Sequence, residues 1–241
     1  MDKYRHELKY LISFSEYEGL RRRMLPYFRL DENATDGEYL IRSLYFDDYW
    51  DSAYKEKDMG IFARKKYRIR IYNYSDKSIK LERKKKQGKY IFKEAARLSK
   101  DEFYRILDGD YNFLLQSENQ LLREFYIECI SNVLRPKVIV DYDRTPFILD
   151  EGTVRITFDK RVRAAVGGFD IFDEGLPTLM AMDGDKLIME VKFTEFFPQI
   201  VRNLIPPGSS EMTAASKYVI CCDRTAYLRE NQYYCDERYT L

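Results

Sequence analysis

The sequence predicts an α+β fold, an antiparallel β barrel with flanking helices, and three observations predict it. Runs that read as strands follow one another across short turns, as hairpins do. Helix signals are inserted between those runs. Within the strands, charged residues recur at i and i+2, so one face carries charge while the other stays apolar.

Residues 4–12 read as the first strand. Ser13-x-x-Glu16 and Ser15-x-x-Glu18 both have the form of a capping box, so a helix is expected from about Glu16 to Met24, ending before Pro26. Tyr39–Phe46 alternates like a strand and leads into Asp47 and Asp48, with Asp51 shortly after; Trp50 and Tyr54 are expected to be exposed or capping. The two adjacent aspartates could ligate a metal, but a turn held by side-chain to backbone bonds is the expected reading. Ile61–Arg64 is a candidate short strand.

The long hairpin comes next: Tyr67–Tyr72, a polar turn, Ile79–Lys84, a second turn at Gly88, then Tyr90–Lys93. Arg68 and Arg70 point one way while Ile69 and Ile71 point the other; Glu82 and Lys84 share a face opposite Leu81. Arg83–Lys86 with Lys89 is a charge run whose ordinary place is an exposed hairpin, and only Lys84 is assigned inward, by its parity with Glu82.

Ser99-x-x-Glu102 starts a helix and Gly109 stops it. From Ser117 to Leu134 the apolar set Leu121, Leu122, Phe125, Ile130, Val133 and Leu134 fits an amphipathic helix, ended by Pro136. Lys137–Tyr142 reads as a strand that Asp143-Arg144-Thr145-Pro146 closes or bends. Val154–Phe158 alternates Arg155 and Thr157 against Val154, Ile156 and Phe158, and Gly167-Gly168 marks a loop. Leu187–Phe193 is a further strand; Pro198, Pro206, Pro207 and Gly208 flank a short helix. Ala214–Leu228 reads as a C-terminal helix carrying Ser216 and Lys217 near its start. No linker or low-complexity tract divides residues 1–241, which are read as a single domain.

Composition narrows the function. Hydrophobic content of 45% supplies a core, and charged content is high at 34%, yet 41 Lys and Arg nearly balance 40 Asp and Glu. A general nucleic-acid coat protein would be strongly basic, so positive charge here has to be gathered in one place and offset elsewhere. Cys129, Cys221, Cys222 and Cys235 form no C-x-x-C spacing and His6 is the single histidine, which argues against zinc and for a reduced setting. His6, out of phase with Glu7 and Lys9, reads as a surface or packing residue, and Tyr67, Tyr72 and Tyr142 as barrel packing. No run approaches the ~20 apolar residues of a membrane span, and the N-terminus lacks a signal-peptide core, so a cytoplasmic protein is expected. No G-x-x-x-x-G-K occurs, which excludes a P-loop nucleotidase.

Charge at i and i+2 recurs along the whole chain. Glu7-x-Lys9, Arg68-x-Arg70 and Glu82-x-Lys84 are joined by Lys93, Arg144 and Arg155 in later strands, and Met189-Glu190-Val191-Lys192-Phe193 repeats Glu7-Leu8-Lys9-Tyr10 almost residue for residue. If those faces turn inward, the interior holds mostly guanidinium and ammonium groups. Two unit charges about 4 Å apart repel by about 4 kcal/mol at an effective dielectric near 20. Such a cluster suits a polyanion, and a chain of phosphates is the expected ligand.

With those residues in view, the sequence resembles the VTC domain, the polyphosphate-polymerase branch of the CYTH or triphosphate tunnel metalloenzyme superfamily. The resemblance covers nearly the whole chain. It rests on Arg5–Tyr10, Ser43–Asp47, Arg68-Ile69-Arg70, Leu81–Lys84, Phe92-Lys93-Glu94, Tyr142–Phe147, Val154–Asp159, Glu190-Val191-Lys192 and Ser216-Lys217-Tyr218, in that order. It implies an antiparallel β tunnel, closed as a barrel, whose basic lining binds triphosphate or polyphosphate beside a divalent metal. Carried over residue by residue, Arg68, Arg70, Lys84, Arg144 and Arg155 are the implied catalytic cations. Lys9, Lys93, Lys192, Ser216 and Lys217 are the implied phosphate ligands. Glu190 is the implied metal ligand, with Glu7 and Glu82 as further candidates for Mn²⁺ or Mg²⁺. Hydrolytic CYTH members carry an N-terminal Glu-x-Glu-x-Lys; here Arg5 takes the first acidic position, which weakens the triphosphatase reading and favours a longer anion.

The resemblance therefore implies transfer of the γ-phosphate of ATP to a growing inorganic polyphosphate chain. Arginine forks grip phosphate oxygens bidentately and lysines act as point charges, and no general base is required because a phosphate oxygen is already anionic. A tripolyphosphate or nucleoside triphosphate hydrolase on the same tunnel is the alternative enzyme. A polyphosphate or inositol-phosphate binding module is the non-catalytic one. Nucleic acid is not an expected partner. Eukaryotic relatives attach this domain to membrane-spanning partners, so whether a membrane-bound partner exists here stays open.

Overall fold

In a computed structural model of the chain, residues 6–235 are described apart from 33, 35–36, 89, 195, 205–210 and 213–214. The elements in chain order are β1 (His6–Ser13), α1 (Phe14–Met24), β2 (Arg29–Leu30), β3 (Tyr39–Asp47), α2 (Ser52–Asp58), β4 (Ala63–Tyr72), β5 (Ser75–Gln87), β6 (Tyr90–Leu98), α3 (Lys100–Leu107), α4 (Asn112–Leu115), α5 (Gln120–Ser131), β7 (Arg135–Leu149), β8 (Val154–Ala165), β9 (Thr178–Met180), β10 (Lys186–Phe193), α6 (Gln199–Leu204), β11 (Glu211–Met212) and α7 (Lys217–Cys235).

All strands belong to one sheet in the order β11-β1-β10-β8-β7-β3-β4-β5-β6, with β2 also on β7 and β9 also on β8. Every ladder is antiparallel. The closed barrel expected from the family is here a sheet curled into a half-barrel, because among the described residues no ladder joins β6 to β11 or β1. The two limbs meet instead through long charged side chains, Lys84 on β5 reaching Glu7 on β1. Those side chains occupy the gap that a closing ladder, with strands about 4.8 Å apart, would have removed.

Three apolar clusters fix this shape. Helices α3, α4 and α5 cover the outer face of β3–β6, where Phe103, Leu114 and Phe125 pack on Phe46, Ile69 and Leu81. Helices α1 and α6 cover the outer face of the other limb, with Tyr17, Leu20 and Val201 against Phe158, Met189 and Val191. Helix α7 enters the inner side instead: Tyr218, Cys221 and Cys222 pack on Tyr45, Val140, Tyr142 and Val162. Cys129, Cys221 and Cys222 are buried in the core.

Local signals place most elements. Ser13 makes the full capping box with Glu16, so α1 starts at Phe14 and not near Glu16. Ser99 and Glu102 make a second one at α3. The helix expected from Ser117 to Leu134 shortens to α5, capped by Asn119; Ile130 and Val133 are exposed, and Val133 has left the helical region at φ 51°. The four-residue α4 escapes notice because one turn shows no periodicity. Ile61–Arg64 is no separate strand, since β4 begins at Ala63.

Asp143–Pro146 does not end the strand before it; β7 runs on to Leu149. Pro146 lies where β7 passes from β3, last paired at Tyr39–Arg144, to β2, first paired at Leu30–Phe147, so its missing N–H does little harm. Arg83, expected in an exposed run, is buried on the outer face, held by Glu94 at 2.9 Å and by Glu124. Asp47 and Asp48 accept backbone N–H bonds from Ala53, Tyr54, Trp50 and Ser52 and so close a turn, as expected. Trp50 is exposed, Tyr54 donates to Asp223, and His6 stacks on Phe193. Tyr4, Arg5, Lys89, Pro206, Pro207, Gly208 and Ala214 lie outside the described residues.

Candidate phosphate-binding site

Strand parity decides which side chains reach the inner face. On β4, Ile69 and Ile71 are in the outer core, so Lys66, Arg68 and Arg70 face inward. The Nε of Arg68 donates to Glu82 at 2.7 Å and its Nη1 to the Tyr45 hydroxyl at 2.8 Å. Arg70 donates to Ser43 and to the Tyr142 hydroxyl, each at 3.0 Å. Lys93 of β6 reaches Glu82 at 2.6 Å, so one carboxylate on β5 organises three cations from two strands. Burial alone would raise the Glu82 carboxyl, but Arg68, Arg70 and Lys93 hold it well below the usual carboxylate range.

The opposite limb repeats the arrangement. The two Glu-x-Lys motifs run antiparallel in register, Glu7 opposite Lys192 and Lys9 opposite Glu190. Glu190 Oε1 accepts from Lys217 at 3.1 Å and lies 3.3 Å from Lys9; Oε2 accepts from Lys192 at 3.0 Å, with Arg144 at 3.7 Å. Asp159, fully buried, grips Arg144 through bonds of 2.6 and 2.8 Å and also pairs with Lys217. Burial works against charge on both carboxylates, yet Lys217, Lys192, Lys9 and Arg144 pull Glu190 far down, and Arg144 and Lys217 pull Asp159 down. Burial likewise works against charge on Lys217, but Asp159 and Glu190 raise it above the ordinary lysine value.

Between the limbs, Lys84 lies 3.4 Å from Glu7. At one end, Arg155 donates to Asp31 at 2.7 Å and to the Tyr39 hydroxyl at 3.1 Å. A cavity of about 210 Å³ opens there, lined by Thr153, Arg155, Lys192, Phe193 and Thr194. Ser216 accepts from Lys66 at 3.3 Å, and Lys66 and Arg68 also lie over the rings of Tyr218 and Tyr45.

Most of the residues singled out in the sequence fall in two clusters, and Arg155 on Asp31 and Ser216 on Lys66 stand outside both. Glu82 gathers Arg68, Arg70 and Lys93, while Glu7 and Glu190 gather Lys9, Lys84, Arg144, Lys192 and Lys217. Sequence reasoning missed Lys66 and Asp159, though each shares strand parity with a predicted residue, Arg68 and Arg155 respectively. It also read Tyr142 as packing alone; its hydroxyl accepts from Arg70 and its ring lies under Lys217 and Arg144.

A hard divalent ion takes one or two protein carboxylates and completes its shell with water and phosphate oxygens. Glu190 and Glu7 fit that donor set: the Lys9 ammonium already bridges their carboxylates at 3.3 and 3.4 Å, as a cation shared between them would. Glu82 does not join them, and among the described residues no three His, Cys, Asp or Glu side chains converge as a protein-only metal cage.

The family model described as the VTC domain matches residues 4–226. Among solved structures, a candidate adenylyl cyclase from Hippeastrum with a dominant triphosphatase activity is similar over 90% of this chain and 95% of its own, with TM-score 0.54 and 16% identity. A candidate adenylate cyclase from Bacillus halodurans is similar over 84% of this chain and 86% of its own, with TM-score 0.49 and 12% identity. No curated protein matches the sequence. Among the described residues, no helix is long and apolar enough to cross a membrane.

Proposed function

Because the chain belongs to the VTC domain family and has the triphosphate tunnel fold, we propose that it is a metal-dependent polyphosphate polymerase that uses ATP. A terminal oxygen of the phosphate chain attacks the γ-phosphorus of ATP in line. The bond from that phosphorus to the β–γ bridging oxygen breaks, and ADP leaves.

The observation that carries this reading is the number of cations ordered along one interior on carboxylates that bind them only through side chains. Arg68, Arg70 and Lys93 rest on Glu82; Lys9, Lys192, Lys217 and Arg144 rest on Glu190. Each can exchange its carboxylate for a phosphate oxygen, so the charge needed for a chain of phosphates is pre-oriented. Arg70 and Arg144 are the most buried arginines of the set, and their fixed forks suit the transferred phosphoryl group. Lys84, Lys93, Arg155 and Lys192 are more exposed and suit the two ends of a longer anion. Glu190 with Glu7 would hold Mn²⁺ or Mg²⁺, which when bound neutralises charge on the bridging phosphate oxygens.

Incubation of the purified protein with ATP and Mn²⁺, with phosphate products resolved by length on a gel, tests the reading. Polymer is expected from the wild type and its loss from folded Arg70→Ala and Glu190→Ala. Orthophosphate without polymer would move the assignment to a tripolyphosphate or nucleotide hydrolase. Anion binding without turnover would make the chain a polyphosphate or inositol-phosphate binding module.

A further inference from the structure

Among the described residues, three buried hydrogen-bond donors on β8 have no partner, Arg155 Nε, Thr157 Oγ1 and Arg163 Nε, and the first two stand at neighbouring positions of one strand face. Thr157 is 1% exposed and its Oγ1 is unbonded; two residues away, the Nε of Arg155 is buried and equally unbonded, although the other end of that guanidinium holds Asp31 and Tyr39. Buried hydroxyls and guanidinium N–H groups are bonded in the great majority of cases, since leaving one bare is unfavourable. These two share a face with Asp159, and Ile156 and Phe158 occupy the outer core, so both donors are turned toward the cationic interior. Across the ladder, Thr157 stands opposite Glu190 and Arg155 opposite Lys192.

We propose that Thr157 Oγ1 and Arg155 Nε form a phosphate subsite at the end of the interior where the 210 Å³ cavity opens, with Lys192 as its movable counter-charge. Two bare donors with no acceptor of their own suit a ligand made of acceptor oxygens. Lys192 folds along its own strand onto Glu190 at 3.0 Å. A phosphate that draws this ammonium from Glu190, the residue opposite Thr157 in the ladder, receives a hydrogen bond from each donor. This deepens the polymerase reading and rests on it for the ligand class: the subsite takes one phosphate of the chain and fixes how far the chain is inserted.

The test is calorimetric titration of wild type, Thr157→Val and Thr157→Ser with inorganic tripolyphosphate, alongside thermal melts without the anion. Valine keeps the shape and removes the hydroxyl. Because that hydroxyl is unbonded, T157V is expected to melt at or above the wild-type temperature and yet bind tripolyphosphate roughly tenfold more weakly, the scale of one hydrogen bond to a charged group. T157S is expected to bind within about twofold of wild type. Equal binding by T157V overturns the subsite, as does a T157V whose melting temperature falls together with its affinity, which would mark a packing role. Because binding is read without turnover, a wild type that binds tripolyphosphate but makes no polymer would sink the polymerase reading and leave the subsite standing.

Discussion

Lys84 on β5 and Glu7 on β1 face each other across the interior at 3.4 Å, although their strands stand second from either end of the sheet order. No ladder among the described residues makes that connection, so an ion pair links the two limbs where hydrogen-bonded backbone would close a barrel. Lys84 is 42% exposed along its side chain, and a pair so open to solvent contributes about 0–1 kcal/mol. Lys84→Met is therefore expected to leave the denaturant midpoint nearly unchanged while weakening tripolyphosphate binding several-fold. The deficit should shrink as salt is added, because the lost attraction is screened. A large drop in stability would show that the pair holds the fold together.

Asp159 is the opposite case. It is fully buried with Arg144 and Lys217 upon it, and replacing it by asparagine leaves two buried cations with Glu190 as their remaining counter-charge. A loss of about 3–5 kcal/mol is expected for Asp159→Asn, measured by urea unfolding. Arg155→Ala, at the more exposed end, should lose far less. The same carboxylates set the acid limit. Asp159, Glu190 and Glu82 all have folded-state values below their ordinary ones, so the stability they supply is complete above the unfolded carboxylate range near pH 4 and is lost as pH falls through the lower native values. A melt series should therefore stay level down to about pH 4 and fall below it.

At alkaline pH the lysines separate. Although part of each side chain is exposed, protein crowded around their ammonium groups desolvates Lys84 and Lys93 and lowers them below the ordinary value of 10.5, with Glu7 and Glu82 offsetting only part of it. Lys9 and Lys217 are raised, because Glu190 and Asp159 outweigh the burial that opposes them. As pH rises, Lys84 and Lys93 thus lose charge first. Tripolyphosphate affinity is expected to begin falling before pH 10.5, and the double variant Lys84→Arg, Lys93→Arg should shift that fall to higher pH. Titrations at stepped pH that show no difference between the two proteins would remove both lysines from the ligand.

Metal removal should divide binding from chemistry. With a chelator present, polymer formation from ATP is expected to stop while calorimetric tripolyphosphate binding persists, because the cations that hold the anion belong to the chain. Glu190→Gln should act in the same direction: it removes a metal ligand, releases Lys192 and leaves Lys9 and Lys217 with one carboxylate each, so binding is kept or tightened as turnover is lost. Unchanged turnover in that variant would take the metal role away from Glu190.

Period-2 charge patterning and two serine–glutamate boxes are enough to predict the antiparallel strands, the presence of two helices, the start of the second of them, and the inward faces of Arg68, Arg70 and Lys84. Those signals are local: side-chain alternation and helix caps act within a few residues. The repeated Glu-x-Lys motif was visible too, but its consequence was not. Only the β1–β10 register sets Lys9 against Glu190 and Glu7 against Lys192 and so turns two like motifs into complementary partners.

What the chain by itself determined is which residues lie on the charged side of each strand, because that follows from backbone geometry and apolar burial on the other side. The tertiary structure alone decided how those sides meet. Asp159 became the buried anchor of Arg144 and Lys217, Glu82 was set apart from Glu190, and Thr157 was left with a bare hydroxyl. Charge interactions depend on distance and burial between segments separated along the chain, and sheet curl and strand order fix both.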